Sequence, residues 1–181
     1  MLIANPGMLD PHFKNTVTLI CEHDEKGALG ITINRPSTQS LAEVLTEIGI
    51  SINDPSNLER LSQSQVLYGG PLHSNRGLIL HTADGIWGSS IKVSDQIHLT
   101  SSKDVLESIA TGSPPLHYRM VLGYAGWGSG QLEQELIENA WLHASATHQL
   151  IFETEHQHCW RATGNSLGID INSMSTQAGH A

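Results

Sequence analysis

His117–Leu142, HYRMVLGYAGWGSGQLEQELIENAWL, carries the organisation of the chain: an apolar run, a glycine-rich segment and a periodic segment follow one another. Met120, Val121 and Leu122 form a continuous apolar run, the pattern of a strand buried on both faces. Gly123, Gly126, Gly128 and Gly130 then read as a loop, where side chains would obstruct a bending backbone. Leu132, Leu136, Ile137, Ala140 and Trp141 share one face at helical spacing, which predicts a helix reaching Trp141. Glu133, Glu135 and Glu138 sit mostly on the opposite side.

Strand, glycine loop and helix in that order is also the layout of phosphate-cradling sites, where backbone N–H groups at a helix start bind an anion. The spacing here fits neither G-x-G-x-x-G nor G-x-x-x-x-G-K-[ST], and Glu133 and Glu135 place carboxylates in the first turns of the helix. The favoured reading is that the glycines let Tyr124 and Trp127 pack closely over the sheet edge.

Working outward towards the N-terminus, Thr16 to Cys21 and Ala28 to Asn34 read as two strands of a hairpin with Glu22 to Gly27 as its polar turn. A capping box, Ser40 with Glu43, starts a helix through Leu41, Val44, Leu45 and Ile48, and Gly49 stops it. Ser51 to Ser64 reads as a polar surface excursion. Short strands are expected at Val66–Tyr68, Leu78–Leu80, Ile91–Val93 and Ile97–Leu99, and a helix after Ser101 with Asp104 in the capping position. Beyond the central stretch, Gln149 to Phe152 reads as a strand and Cys159 to Ile171 as a helix interrupted by Gly164. Strands and helices interleave without strict alternation, which predicts a mixed α+β fold, a mixed β-sheet packed with helices.

With 181 residues, 39% of them hydrophobic, the chain fits one compact domain over residues 1–181, with room for a minor lobe. Eighteen acidic against nine basic residues give a formal charge of −9, which repels nucleic-acid backbones and anionic membrane surfaces; direct nucleic-acid binding is not expected. Cys21 and Cys159 behave as small hydrophobes of a reducing compartment, and MLIANPGMLDP lacks the pattern of a secretory leader. No apolar run approaches the roughly 20 residues that span a bilayer, so a cytoplasmic protein is expected.

Catalytic motifs are mostly absent: there is no G-x-S-x-G, H-E-x-x-H or C-x-x-C. His156-x-His158-Cys159 beside Glu155 would align two imidazoles on an extended segment, but a metal needs three or four converging ligands, and neither metal nor cofactor is expected. Glu22 and His23 are adjacent and point to opposite faces of a strand, so a polar turn is favoured over an acid–base pair.

Several long motifs resemble the AlgH/YqgE family of small bacterial proteins: LIANPGMLDPHF, CEHDEKGALGITINRP, YGGPLHSNRGLILH, LTSSKDVLESIA, LGYAGWGSGQLEQELIENAWL and the terminal GHA. They occur in the same order and span nearly the whole chain. The resemblance implies a bacterial cytosolic protein with a larger α/β sandwich and a small lobe, and a biochemical role that is not settled. One member gave the family a label as a regulator of transcription in alginate production. No basic helix or helix-turn-helix cue accompanies that label here, so regulation would work through a protein or small-molecule partner.

Two functional readings compete. The favoured one is a noncatalytic binding module whose groove is built from Glu22, His23, Asn34, Arg35, Pro36, Gly69, Gly70, His81, Tyr124, Gly126, Trp127, Gly128 and Gly130, polar, glycine and aromatic positions near strand ends. The other is an enzyme with Glu22 or His81 as base beside Arg35, which requires those side chains to converge on one cavity.

Overall fold

The computed structural model describes residues 1–171, so the terminal GHA motif lies outside the described residues. In chain order the elements are β1 (Leu2–Ala4), β2 (Val17–Asp24), β3 (Gly27–Thr32), β4 (Pro36–Ser40), α1 (Leu41–Glu47), α2 (Pro55–Gln63), β5 (Gln65–Tyr68) and β6 (Leu72–Thr82). They continue with β7 (Ser90–Lys92), β8 (Ile97–Thr100), α3 (Lys103–Ala110), β9 (Tyr118–Gly128), α4 (Gln131–Ile137), β10 (Trp141–His143), a π-helix (Gln149–Glu153) and α5 (His156–Ser166). The fold is the expected α+β type: a ten-stranded mixed sheet with helices packed on it.

The sheet runs β10-β1-β2-β3-β9-β6-β8-β7, with β4 and β5 joined to it through β9. The β5–β9 pair is parallel and the other pairs among the described residues are antiparallel. β9 is the axis. Along one edge it pairs β6; along the other it pairs β5 at Val121 and Leu122, then β3 from Ala125 to Gly128.

The change of partner happens at three glycines. Gly123 has φ +73, and a Cβ there would lie 2.6 Å from the Gly70 carbonyl oxygen; one on Gly69 would lie 2.3 Å from the Gly123 carbonyl oxygen. Any side chain at these positions would push the two backbones apart. The glycine segment is therefore strand rather than the expected loop. Every residue of Gly123–Gly128 belongs to β9, because neighbouring strands satisfy its backbone and outweigh the turn propensity of glycine.

Other boundaries also differ from the sequence reading. α4 ends at Ile137, Asn139 adopts a left-handed conformation (φ 57), and Trp141 lies in β10 opposite Ala4. The polar excursion Ser51–Ser64 contains α2, with the Asp54 carboxylate capping the Ser56 amide and Pro55 in the first turn. Gln149–Phe152 is part of the π-helix, not a strand. Ser102 rather than Ser101 stands at the N-terminal boundary of α3, without a capping bond from its side chain, and the Asp104 carboxylate accepts from the Gly88 amide at 3.0 Å. α5 begins three residues before Cys159 and stops at Ser166; Gly164 is needed there, since its Cβ would come 3.0 Å from that of Ile171. The Ser40–Glu43 capping box and the β2–β3 hairpin are as expected.

The core shows how the sheet curls. One cluster joins Val17, Leu19 and Ile31 of β2–β3 to Leu78, Leu80, Ile97 and Leu99 of β6 and β8, closed by Leu150, Ile151 and Cys159. The two wings of the sheet thus face each other across shared apolar side chains. A second cluster seats α1, α2 and α3 on the outer side of β6 and β9, through Leu45, Leu61, Ile79 and Ile109. A third packs Leu132 of α4 with Trp127 and Trp141.

Candidate functional site

The β2–β3 hairpin has a register shift between Ile20 and Glu22, the mark of a bulge at Cys21. Beyond it the strand ends leave the core and stand opposite β7, which is an edge strand of three residues. Between them lies an open groove of about 750 Å³, lined by Cys21–Asp24, Lys26–Leu29, Ser90–Lys92 and Trp127. A narrower cleft of about 370 Å³ adjoins it, with Glu22, Leu29 and Ile91 common to both. Its remaining lining is Arg76, Leu78, Ser89, Leu99, Thr100, Ser101 and Tyr124. The floor is apolar; Glu22 and Arg76 supply opposite charges, and Arg76 also donates to the Ser101 hydroxyl at 3.3 Å.

Of the residues expected to build a groove, Glu22, His23, Tyr124 and Trp127 line this double cleft. His23 turns towards α4, where its Nε2 lies 2.5 Å from Glu133; the backbone and this imidazole hold the Glu133 carboxyl below its ordinary range. Tyr124 stacks on His73 with ring centroids 5.6 Å apart. Trp127 is buried, 6% exposed, and its indole N–H donates to Glu135 at 2.9 Å; the Trp141 indole donates to the same carboxylate oxygen at 2.7 Å. Close packing of Trp127 is thus seen, with Glu135 bent back to receive both indoles rather than pointing away.

The other expected residues are built into the frame. The Arg35 guanidinium donates to the carbonyls of Pro11 (2.7 Å), His12 (2.9 Å) and Lys14 (3.1 Å), pinning the loop before β2. Asn34 accepts from the Val17 amide at 2.8 Å and donates to the Asn15 carbonyl at 3.0 Å. Pro36 opens β4 opposite Leu67. Gly69 and Gly70 form the close crossing with β9, Gly126 and Gly128 pair with Leu29 and Gly27, and Gly130 caps α4 with φ 73.

His81 is fully buried, and its Nδ1 donates to the Thr82 carbonyl at 2.8 Å. Burial is the main cause holding its imidazole neutral, and it packs edge-on to His98. Glu22 lines both clefts, whereas neither Arg35 nor His81 lines either, so the three groups of the enzymatic reading are spread over separate parts of the fold. Burial pushes the Cys21 thiol up to about 12, which makes it a poor nucleophile despite its place at the groove. Among the described residues no group of three or more His, Cys, Asp or Glu could hold a metal ion, and the His156–His158 segment is helical.

Leu29, Arg76 and Ile91 are among the cleft residues that the sequence reading did not assign to a site. Arg76 carried one signal, a lone cation within the polar segment His73–Arg76 directly before an apolar run. Its neighbours across the cleft come from β2, β3 and β9, and their proximity follows from sheet curl.

The architecture has known counterparts. The AlgH-like family model matches residues 1–172. The chain belongs to the AlgH-like family. It is 44% identical over 179 residues to a UPF0301 protein of Methylococcus capsulatus, covering 99% of this chain and 93% of that one. A UPF0301 protein of Xanthomonas campestris is 43% identical over 181 residues, covering 100% and 94%. Among solved structures, the solution structure of the AlgH protein from Pseudomonas aeruginosa aligns with a TM-score of 0.79 at 39% identity, covering 99% of this chain and 93% of that one. A crystal structure of a Corynebacterium diphtheriae protein aligns with a TM-score of 0.69 at 22% identity, over 89% and 82%, a likeness of fold. Among the described residues no helix is long and apolar enough to cross a membrane.

Proposed function

We propose that this AlgH-like protein is a noncatalytic binding module that holds a protein segment or a small molecule in the cleft between the β2–β3 hairpin and β7–β8. The observation that carries the reading is the joining of two clefts at Glu22, Leu29 and Ile91, with an apolar floor and opposite charges at Glu22 and Arg76. Apolar contact from Leu29, Leu78, Ile91 and Leu99 holds a partner, and the charged groups at the rim orient it. The enzymatic reading needs Glu22 or His81 beside Arg35 in one cavity, and Arg35 and His81 are held elsewhere on backbone carbonyls.

The setting is the bacterial cytoplasm: both cysteines are buried free thiols, as suits a reducing compartment. Any effect on transcription is indirect, through the partner, since a formal charge of −9 opposes contact with DNA. A thermal-shift screen of nucleotides, sugar acids, amino acids and short peptides tests the reading, because selective binding stabilises the native state. The expected outcome is stabilisation that Glu22→Gln or Arg76→Gln abolishes while each variant alone melts like the parent. Ligands whose stabilisation survives both substitutions would refute it.

A further inference from the structure

Sharing no lining residue with that cleft, α2, the start of β9, the π-helix and the start of α5 surround a pocket of about 340 Å³. Its charged and titratable lining is Arg60, His117, Arg119 and His156, joined by the Tyr118 hydroxyl, and among the described residues no Asp or Glu lines it. In a chain with twice as many acidic as basic residues, two arginines sharing one concavity without a carboxylate run against the composition.

Both guanidiniums are fixed in place by neutral partners. Arg119 donates from Nε to the Ile151 carbonyl at 2.6 Å and from Nη2 to the Phe152 carbonyl at 3.0 Å, while Nη1 meets the His156 imidazole at 3.1 Å. Burial and the Arg119 charge hold His156 neutral, so it can accept from the guanidinium but not neutralise it. Arg60 donates to the Tyr118 hydroxyl at 2.9 Å and to Asn57 Oδ1 at 2.6 Å. Asn57 is itself buried and anchored to the carbonyls of Ile109 and Ala110 at 3.0 and 2.8 Å.

A structural clamp on the π-helix accounts for Nε and Nη2 of Arg119. It does not account for the second guanidinium, braced on a separate element, or for the lack of a counter-charge among the described residues lining the pocket. The half-buried Arg119 guanidinium gains most from an ionised acceptor, and together with the exposed Arg60 it brings two positive charges to one pocket, the match for a dianion.

We propose that this pocket binds a small molecule through a dianionic oxyanion head, a phosphate or a pair of carboxylates, held by Arg60 and Arg119. The pocket volume admits the head and a short organic body. The site is separate from the Glu22–Arg76 cleft, and it stands or falls independently of that reading.

The test is a titration of the full chain with inorganic phosphate and, separately, malonate, at constant ionic strength set by chloride, followed by the NMR signals of the Arg60 and Arg119 side chains. A saturable shift at these signals, weakened about tenfold or more by Arg60→Gln, supports the site. His117→Gln serves as a second variant, since Arg119 substitutions also release the π-helix carbonyls. Saturation by phosphate, by malonate or by both assigns the head group. Failure of both anions to saturate these signals, or equal affinity in the parent and Arg60→Gln, overturns the proposal.

Discussion

Glu135 collects the indole N–H groups of Trp127 and Trp141 on one carboxylate oxygen, and the Gln131 side chain on the other at 2.9 Å. Bonds to a charged acceptor are worth more than neutral ones, and both indoles belong to buried tryptophans. Glu135→Ala should therefore destabilise the protein by about 2 kcal/mol in urea unfolding, and Glu135→Gln by less. His81 gives a second prediction at this scale. Its value in the fold lies below the ordinary 6.5, mainly through burial, with the Thr82 carbonyl and Asp84 opposing and His98 adding to the effect. The unfolded chain thus binds the proton first, and stability is full above pH 6.5 and lost as pH falls towards the folded value. His156 shifts in the same direction. Urea midpoints measured between about pH 5 and 7 should fall on acidification, with a shallower slope in His81→Gln.

At the scale of elements, β9 shows what the sequence could and could not convey. Its first half was legible as a continuous apolar run at Met120–Leu122, as were the hairpin and the capped α1. Its second half was hidden because glycines have no pattern of their own, and their role as a crossing point depends on Gly69 and Gly70, more than fifty residues earlier in the chain. Gly123→Ala should cost about 2 kcal/mol or more, since the added methyl meets the Gly70 carbonyl and the left-handed backbone is strained. Gly112→Ala, equally left-handed but in open space, should cost about 1 kcal/mol, which separates contact from strain in one comparison of melting curves. α2 was missed for a different reason. Its residues are mostly polar, with Leu58 and Leu61 the only large apolar ones, too few to stand out, yet Asp54-Pro55 was a readable start; Asp54→Ala should cost about 1 kcal/mol. The π-helix could not be distinguished from a strand, because a short apolar run suits either.

At the scale of the molecule, the family motifs conveyed the fold class before the topology could be read. The candidate site was legible only in part. Glu22, His23, Tyr124 and Trp127 come together at the cleft because they lie on the hairpin and on the strand it pairs with. Arg35 and Asn34 look identical in sequence to binding residues, and their side chains instead satisfy backbone groups of the loop before β2. Arg76 and Ile91 enter the cleft because the sheet curls its two wings over one core, a consequence of packing that no local pattern records. The most direct test of the binding reading is an amide chemical-shift map of the full chain, titrated with the compound or peptide that stabilises it most. The account predicts perturbations centred on Glu22, Leu29, Arg76 and Ile91 that Arg76→Gln removes. Perturbations centred elsewhere, or unchanged by Arg76→Gln, would contradict it.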